Sequence, residues 1–167
     1  HPFGKIPAFA HDGLTLYESD AILRYLEERF PEPPLLPGGV AERARANQLL
    51  AVLNNYAYPC LVWEVYVPGR EGGESGRKAA AEALPRAERC LAALEALAGE
   101  RRGEGPFLLG AAPLLPDLLA YPMLTLFGLA PEGARLLLGY PRLAAAHAAM
   151  AARPSAVATR FAVEDPS

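Results

Sequence analysis

Two short segments near the start of the chain carry residue types that could bind a peptide-like ligand. The first is Gly4-Lys5-Ile6-Pro7, which leads into an apolar stretch. A proline at the head of a strand has no N–H to donate to a sheet, so it is typical of a strand edge or a bend. If the Ile6–Pro7 bond is cis, the N–H and C=O of Ile6 face outward and could pair with an extended peptide as an added strand. An ordinary trans proline at the entry to a strand is the commoner arrangement and stays open.

The second segment is Glu18-Ser19-Asp20, between a predicted strand and a predicted helix. Free backbone N–H groups at a helix N-terminus attract a carboxylate or a phosphate. Ser19 adds a hydroxyl donor, and Glu18 adds an acceptor for an ammonium group. A ligand that carries both an amine and a carboxylate, such as an amino acid, suits this pair. The alternative is plain helix capping, which Ser and Asp perform in many helices.

Local sequence signals predict the elements that would hold these segments. Residues 5–10 are short and apolar, and residues 14–17 alternate in polarity, so both are predicted strands. His11-Asp12-Gly13 between them is a tight-turn signal, which predicts a β-hairpin. A helix capped by Glu18 or Ser19 should follow and end at Pro31.

A stiff connector separates this start from the rest of the chain. Residues 31–39 contain four prolines and two glycines, which predicts an extended linker. After it we predict helices over residues 40–67, 78–97, 117–127 and 141–152, with a loop or a frayed helix start at 69–77 and a loop at 99–106. The first helix contains Pro59 and should stop at Pro68-Gly69. Its predicted buried stripe is apolar along one side: Leu49, Val52, Leu53, Tyr56, Cys60 and Trp63. The predicted class is α+β, with a start too small to bury a core of its own.

Composition excludes several classes of function. The 167 residues are 51% hydrophobic, and 16 Lys and Arg against 19 Asp and Glu give a net charge of -3. A mildly acidic chain is not built to bind nucleic acid or an anionic membrane. Its apolar stretches fall short of the roughly 18 residues that a membrane span needs. Two cysteines are too few for a disulfide scaffold, and no metal-ligand spacing or phosphate-binding loop is present. We therefore expect a cytoplasmic protein with no nucleic-acid, membrane or metal partner.

The two segments together resemble the second half of the glutathione-binding domain of cytosolic glutathione transferases, closest to bacterial and plant-type members. The similarity rests on PFGKIPAF, then DG, then LTLYESDAILRYL, and it continues through RARANQLL, FLLGAAPLLPDLLAYPML and YPRLAAAHAAMAARPS. It covers nearly the whole chain. The resemblance implies part of a thioredoxin-like domain over residues 1–33 and an all-α domain over residues 40–162. It also implies an enzyme that conjugates the glutathione thiolate to a small electrophile in detoxification, needs no cofactor and forms a homodimer.

The resemblance implies specific roles for the residues of both segments. The proline matching Pro7 is cis, and the backbone at Ile6 pairs with the cysteinyl part of glutathione. Glu18 and Ser19 hold the γ-glutamyl end, and Lys5 lies near the tripeptide. On the long helix, three aromatic side chains could line the electrophile pocket or could equally belong to the core and a domain interface: Tyr56, Trp63 and Tyr66.

The chain departs from the family pattern in two places. It opens at His1, so the strand, helix and strand that carry the thiol-activating Ser, Tyr or Cys are missing, and the catalytic residue is unknown. We therefore expect a longer natural chain, or another chain covering the open edge of the hairpin. Cys60 and Cys90 lie inside predicted helices and are expected to be core residues rather than nucleophiles. A non-catalytic glutathione-binding or interaction module of the same fold is the alternative function.

The second departure lies at the buried helix. Relatives place Ser or Thr three residues before the capping Asp, whereas this chain has Leu114 before Asp117. Asp117 can still accept backbone N–H groups at that turn. Losing the reciprocal hydroxyl bond should cost about 0.5–2 kcal/mol of local stability.

Overall fold

The computed structural model describes residues 1–100 and 104–160, and it begins with a two-stranded hairpin. Strand β1 (Ala8–His11) pairs antiparallel with β2 (Leu14–Tyr17) across a turn at Asp12 and Gly13, both of which have positive φ. The hairpin prediction is confirmed. The predicted strand start at Lys5 is wrong, because pairing begins only at Ala8, after the proline that lacks an N–H.

Helix α1 (Ser19–Arg29) follows the hairpin and ends before Pro31, as predicted. The proline-rich linker then runs to Gly39. Its path is held by Glu27, whose carboxylate accepts the backbone N–H groups of Leu35 at 2.9 Å and Leu36 at 2.9 Å. Leu35 in turn accepts the N–H of Leu115 at 2.8 Å, so the linker is bonded to both α1 and the helical body.

The predicted long helix is a continuous helical rod that changes its backbone bonding. Helix α2 (Val40–Val52) leads into a π-helical segment (Leu53–Tyr66) and then into α3 (Val67–Glu71). Bonding from each residue to the fifth residue along widens the turn. The buried positions therefore recur about every four residues, at Leu53, Ala57, Leu61 and Val65. The predicted stripe is wrong beyond Leu53, since it assumed the narrower α-helical period.

Glycines make the junction between α3 and the next helix, α4 (Gly73–Gly99), much closer than predicted. The helix does not stop at Pro68-Gly69, and α4 starts five residues before the predicted Lys78. A Cβ on Gly76 would lie 2.2 Å from the carbonyl oxygen of Pro68, so only glycine permits this contact. The Gly-rich stretch is therefore mostly helical, nearer to the predicted frayed helix start than to the predicted loop, and it packs α3 against α4.

Four further helices complete the described chain: α5 (Leu115–Leu129), α6 (Pro131–Leu137), α7 (Pro141–Ala151) and α8 (Pro154–Ala158). Helices α5 and α7 confirm their predictions to within two residues, whereas α6 and α8 were not predicted. The middle of the predicted loop at 99–106 and the predicted end of the helical domain at residue 162 lie outside the described residues.

The core lies entirely in the helical body. It is built where the π-helical segment, α4 and α5 pack together, and its fully buried large side chains include Leu61, Leu91, Leu94, Leu124 and Phe127. The α+β fold therefore consists of a small two-stranded sheet with α1, attached to an all-helical body. No helix within the described residues is long and apolar enough to cross a membrane.

Candidate functional site

The Ile6–Pro7 turn exposes backbone groups at the entry to β1. The Ile6–Pro7 peptide bond is cis, as the resemblance implies. Ile6 is 95% exposed, and within the described residues no backbone hydrogen bond involves it. Lys5 beside it is also exposed. The N–H and C=O of Ile6 are thus available to an extended peptide in the manner of an added strand.

The hairpin register brings the two predicted segments to one end of the sheet. The last paired residues at this end are Ala8 and Tyr17. The pairing ends there, and Pro7 and Glu18 are the residues that adjoin this last pair along the chain. Because opposite residues of an antiparallel pair are neighbours, the exposed Ile6 backbone and the start of α1 share this end.

The N-terminus of α1 begins without a side-chain cap. The first helical bond runs from the N–H of Ile22 to the carbonyl oxygen of Glu18 at 3.0 Å, and no side chain caps the first turn. The prediction of plain capping by Glu18 or Ser19 is therefore wrong. Uncapped N–H groups at a helix N-terminus carry partial positive charge and are suited to an anionic group.

Glu18 has an unusual backbone conformation at this point, with φ of 71°. This left-handed region is unfavourable for a residue with a side chain, and such residues cluster at ligand-binding sites. Its exposed carboxylate lies 3.5 Å from Nε2 of His1. The His1 ring packs against Tyr17, with ring centroids 4.9 Å apart. The strained turn therefore presents a carboxylate beside a hydroxyl at the helix start.

Asp20, two residues after Glu18, belongs to a hydrogen-bond network that the sequence analysis missed. Both carboxylate oxygens of Asp20 accept from Nε of Arg24, at 3.0 and 3.1 Å. Nη1 of Arg24 donates to Oδ1 of Asn47, on α2, at 2.7 Å. The spacing of Asp20 and Arg24, four residues apart on one helix, is the signal that could have found the ion pair. The bond to Asn47 joins parts of the chain that no local pattern connects.

The three aromatic residues proposed for an electrophile pocket differ in exposure. Tyr66 is buried in the core, whereas Tyr56 is 65% exposed and Trp63 is 57% exposed. The Trp63 ring instead contacts Tyr58, edge to face, with centroids 6.3 Å apart. These two residues are five apart, which the π-helical turn brings onto one side. Tyr58 is therefore an exposed aromatic neighbour that the α-helical spacing did not indicate.

The surroundings of the two cysteines favour the protonated thiol over the nucleophilic thiolate. Burial raises the pKa of the Cys90 thiol to about 11. Burial and the nearby Glu64 carboxylate raise the pKa of Cys60 as well. A thiol with a raised pKa is a poor nucleophile near neutral pH. Cys90 is a core residue, as predicted, whereas Cys60 is only partly buried.

Asp117 fastens the start of the buried helix α5. Its carboxylate accepts the N–H of Leu108 at 2.8 Å and the N–H of Leu114 at 2.9 Å. The carboxylate half of the capping pattern is therefore present, as predicted, and Leu114 contributes no hydroxyl. Burial raises the pKa of Asp117, and the two backbone bonds partly oppose that shift. Asp117 is structural, and it lies in the helical body rather than at the exposed end of the hairpin.

The described residues contain no group of His, Cys, Asp or Glu side chains that could hold a metal ion. What they provide is an exposed backbone amide and carbonyl, an uncapped helix N-terminus, a hydroxyl and a carboxylate. This combination is suited in its chemistry to an extended peptide with a charged, amino-acid-like end.

Comparison with known proteins identifies the family of this chain. The model of the glutathione S-transferase N-terminal domain matches residues 1–34, and that of the glutathione S-transferase C-terminal domain matches residues 77–149. The crystal structure of a maleylacetoacetate isomerase from Anaeromyxobacter dehalogenans 2CP-1 is 34% identical, with a TM-score of 0.68, covering 92% of this chain and 72% of that chain. The chain belongs to the glutathione S-transferase family.

Two further relatives extend the comparison. A probable maleylacetoacetate isomerase 2 of Drosophila melanogaster is 43% identical over 53 residues, which are 32% of this chain and 23% of that protein. A glutathione transferase family member from Pseudomonas fluorescens Pf-5, solved with two glutathione bound, is 25% identical with a TM-score of 0.76, covering 94% of this chain and 70% of that chain. The chain spans between 23% and 37% of the length of the first curated relatives it matches.

Proposed function

We propose that this protein binds glutathione at the end of the hairpin and conjugates its thiolate to a small electrophile. The observation that supports the proposal is the hairpin register, because the Ala8–Tyr17 pair ends the sheet at the side where the exposed Ile6 precedes β1 and the uncapped α1 follows β2. Glutathione has the matching parts: a peptide backbone at its cysteinyl residue and an amine with a carboxylate at its γ-glutamyl end. The relative from Pseudomonas fluorescens Pf-5, solved with glutathione bound, supports the same ligand.

Each part of the ligand has a partner of suitable chemistry. The N–H and C=O of Ile6 would pair with the cysteinyl backbone, with Pro7 turning the chain at that point. The γ-glutamyl carboxylate would lie at the first turn of α1 and accept from the Ser19 hydroxyl. The Glu18 carboxylate would accept from the ammonium group, and Lys5 would lie near the tripeptide.

The chemical step requires an ionised thiol. The thiolate attacks an electrophilic carbon, the C–S bond forms, and the displaced group leaves with its electron pair. Donors aimed at the sulfur would stabilise the thiolate. We assign no thiol-activating residue, since Ser19 lies at the γ-glutamyl end. The exposed Tyr56 and Trp63 are the candidates for contact with an apolar electrophile, whereas the buried Tyr66 would act only by supporting the helix.

A second reaction has its own support. The similarity to two proteins named maleylacetoacetate isomerase favours glutathione-dependent isomerisation of a conjugated cis double bond. The same bound thiolate would serve, because it can add to the double bond and leave again after rotation. Assays with a halogenated aromatic electrophile and with a conjugated cis-dienoic acid would separate the two reactions. Glutathione binding without turnover of either substrate would instead favour a non-catalytic binding module.

Isothermal titration calorimetry with glutathione tests the site. We expect Glu18→Ala and Ser19→Ala each to weaken binding about tenfold, the effect of losing a charge-assisted hydrogen bond of about 1.4 kcal/mol. Glu28→Ala is the matched control, since Glu28 is an exposed carboxylate on the same helix. Equal affinities for all three variants and the unaltered chain would refute the site.

The family resemblance also leads us to propose a homodimer located in the cytoplasm, acting in detoxification. Sedimentation equilibrium measures the first of these directly. A mass that stays at 17.8 kDa at every concentration of this chain would argue against the dimer.

A further inference from the structure

Arg24 lies one turn along α1 from the proposed γ-glutamyl site and makes contacts on two sides. Its Nε donates to both oxygens of Asp20, at 3.0 and 3.1 Å, in the first turn of α1. Its Nη1 donates to Oδ1 of Asn47 on α2, at 2.7 Å. One guanidinium therefore links the start of α1 to the helical body, which its planar, forked set of donors makes possible.

The first of these contacts matters because of the charge at the helix start. Glu18 and Asp20 place two carboxylates within three residues of the N–H groups that would receive the ligand carboxylate. A negative charge this near the start of the helix opposes the binding of an anionic ligand there. Pairing with Arg24 offsets the charge of Asp20 and leaves the Glu18 carboxylate as the acceptor for an ammonium group.

The second contact matters because α1 has little packing to hold its direction. Ile22 is the one buried residue in α1. Leu23 packs against the core while only partly buried, and the bond from Arg24 to Asn47 adds a polar contact that holds α1 against α2. Both ends of this bond are partly buried, which limits competition from water.

We propose that Arg24 is a positioning residue for glutathione, offsetting the Asp20 carboxylate and anchoring the start of α1 to α2. This inference rests on the proposed function. It predicts that removal of the guanidinium weakens glutathione binding through Asp20, and that removal of the Asp20 charge compensates.

The test is calorimetric titration of glutathione into Arg24→Met, Asp20→Asn, the double variant and the control Arg29→Met. Arg29 is a suitable control because it is a cation on the same helix, held by an exposed ion pair with Asp12 at 3.8 Å. We expect Arg24→Met to raise Kd about tenfold, the size of one charge-assisted contact, and Arg29→Met to leave it within about twofold. The double variant should recover the part of the lost affinity that is due to the unpaired Asp20 charge, which a merely structural role for Arg24 would not produce.

Two further variants keep the test decisive if Arg24→Met folds poorly, as judged by thermal unfolding. Arg24→Lys retains the positive charge but not the forked donors, so it should bind better than Arg24→Met and worse than the unaltered chain. Asn47→Ala retains the Asp20 pair, so it should lose affinity without being rescued by Asp20→Asn. Equal affinity for Arg24→Lys, Arg24→Met and Arg29→Met, or failure of Asp20→Asn to rescue, would overturn the inference alone. No glutathione binding by the unaltered chain would overturn the proposed function and this inference with it.

Discussion

The first 39 residues and the helical body are held together by different forces. In residues 1–39, all of which are described, Ile22 is the one buried residue, and no residue of β1 or β2 is buried. The helical body contains a continuous apolar core around the π-helical segment, α4 and α5. The start is tied to that body by the hydrogen bonds Arg24–Asn47 and Leu115–Leu35, and by partly buried leucines that pack against the core: Leu23, Leu35 and Leu36. The candidate glutathione site thus lies where packing is weakest, at the end of the hairpin, and the core lies in the helical body.

This contrast predicts two kinds of mutational effect. Changes in the body should alter the free energy of unfolding of the whole molecule, because apolar burial dominates there. Changes in the start should alter ligand binding or local protection with little effect on global unfolding.

The largest expected effect is that of Leu61→Ala in the π-helical segment. Leu61 is fully buried, so removing its side chain should lower the free energy of unfolding by about 2–5 kcal/mol. Tyr56→Ala on the same segment should change it by no more than about 0.5 kcal/mol, since Tyr56 is largely exposed. Urea denaturation measures both. A larger loss of unfolding free energy for Tyr56→Ala than for Leu61→Ala would mean that Tyr56 is buried, as the α-helical spacing predicted, and would contradict the four-residue period.

Asp117→Asn should have the next largest effect. An asparagine has one acceptor oxygen, so one of the two N–H groups of Leu108 and Leu114 would face an amide donor. An unsatisfied buried donor should lower the free energy of unfolding by about 1–3 kcal/mol. Urea denaturation near neutral pH is again the measurement, and an unchanged transition midpoint would show that the cap does not stabilise α5.

The pH dependence of that loss follows from the raised pKa of Asp117. A carboxyl whose folded pKa lies above its unfolded value stabilises the fold most below the ordinary value of 3.8, and that contribution fades as pH rises through the raised value. The destabilisation by Asp117→Asn should therefore be greater under acidic conditions than at neutral pH. Denaturation at several pH values, compared between the two proteins, measures this. A loss that instead grows as pH rises would mean that the pKa is lowered in the fold.

Glu27→Ala should have a local effect. It removes the acceptor for the N–H groups of Leu35 and Leu36, so hydrogen exchange at these two amides should accelerate, by about tenfold if their protection falls by 1.4 kcal/mol. Exchange at Leu61 in the core should stay unchanged. Unaltered exchange at Leu35 and Leu36 would show that Glu27 does not hold the linker.

The smallest effect is expected for Cys60. Because its raised pKa keeps it as a thiol, Cys60→Ala should leave glutathione-dependent turnover within about twofold of the unaltered protein. Turnover assays with the halogenated aromatic electrophile and the conjugated cis-dienoic acid provide the measurement. Loss of turnover would assign Cys60 a chemical role that its surroundings do not indicate.

Local patterns predicted much of this fold. The Asp12-Gly13 turn, the end of α1 before Pro31 and the helices around Asp117 and Leu143 all follow from short-range signals. The errors arise where bonding between distant or unusual partners decides the structure. The π-helical turn shifted the buried stripe from Tyr56 to Ala57, and the contact between Gly76 and Pro68 converted a predicted loop or frayed helix start into packed helices. The domain limits of 1–33 and 40–162 stay predictions.

The candidate site was predictable in part for the same reason. Ile6, Pro7, Glu18 and Ser19 are recognisable by residue type, and the hairpin register that relates them follows from the turn. The bond from Arg24 to Asn47 was not predictable, because it depends on how α1 lies against α2. The thiol-activating residue and the electrophile contacts also stay unassigned.

The most direct test of the account is an NMR titration of the ¹⁵N-labelled chain with glutathione. The account predicts that the amide signals of Ile6, Ser19, Asp20 and Ala21 shift together as the ligand saturates one site. Signals of Arg29, at the far end of α1, should stay in place. Shifts confined to the helical body, or no shifts at millimolar glutathione, would contradict a binding site at the end of the hairpin.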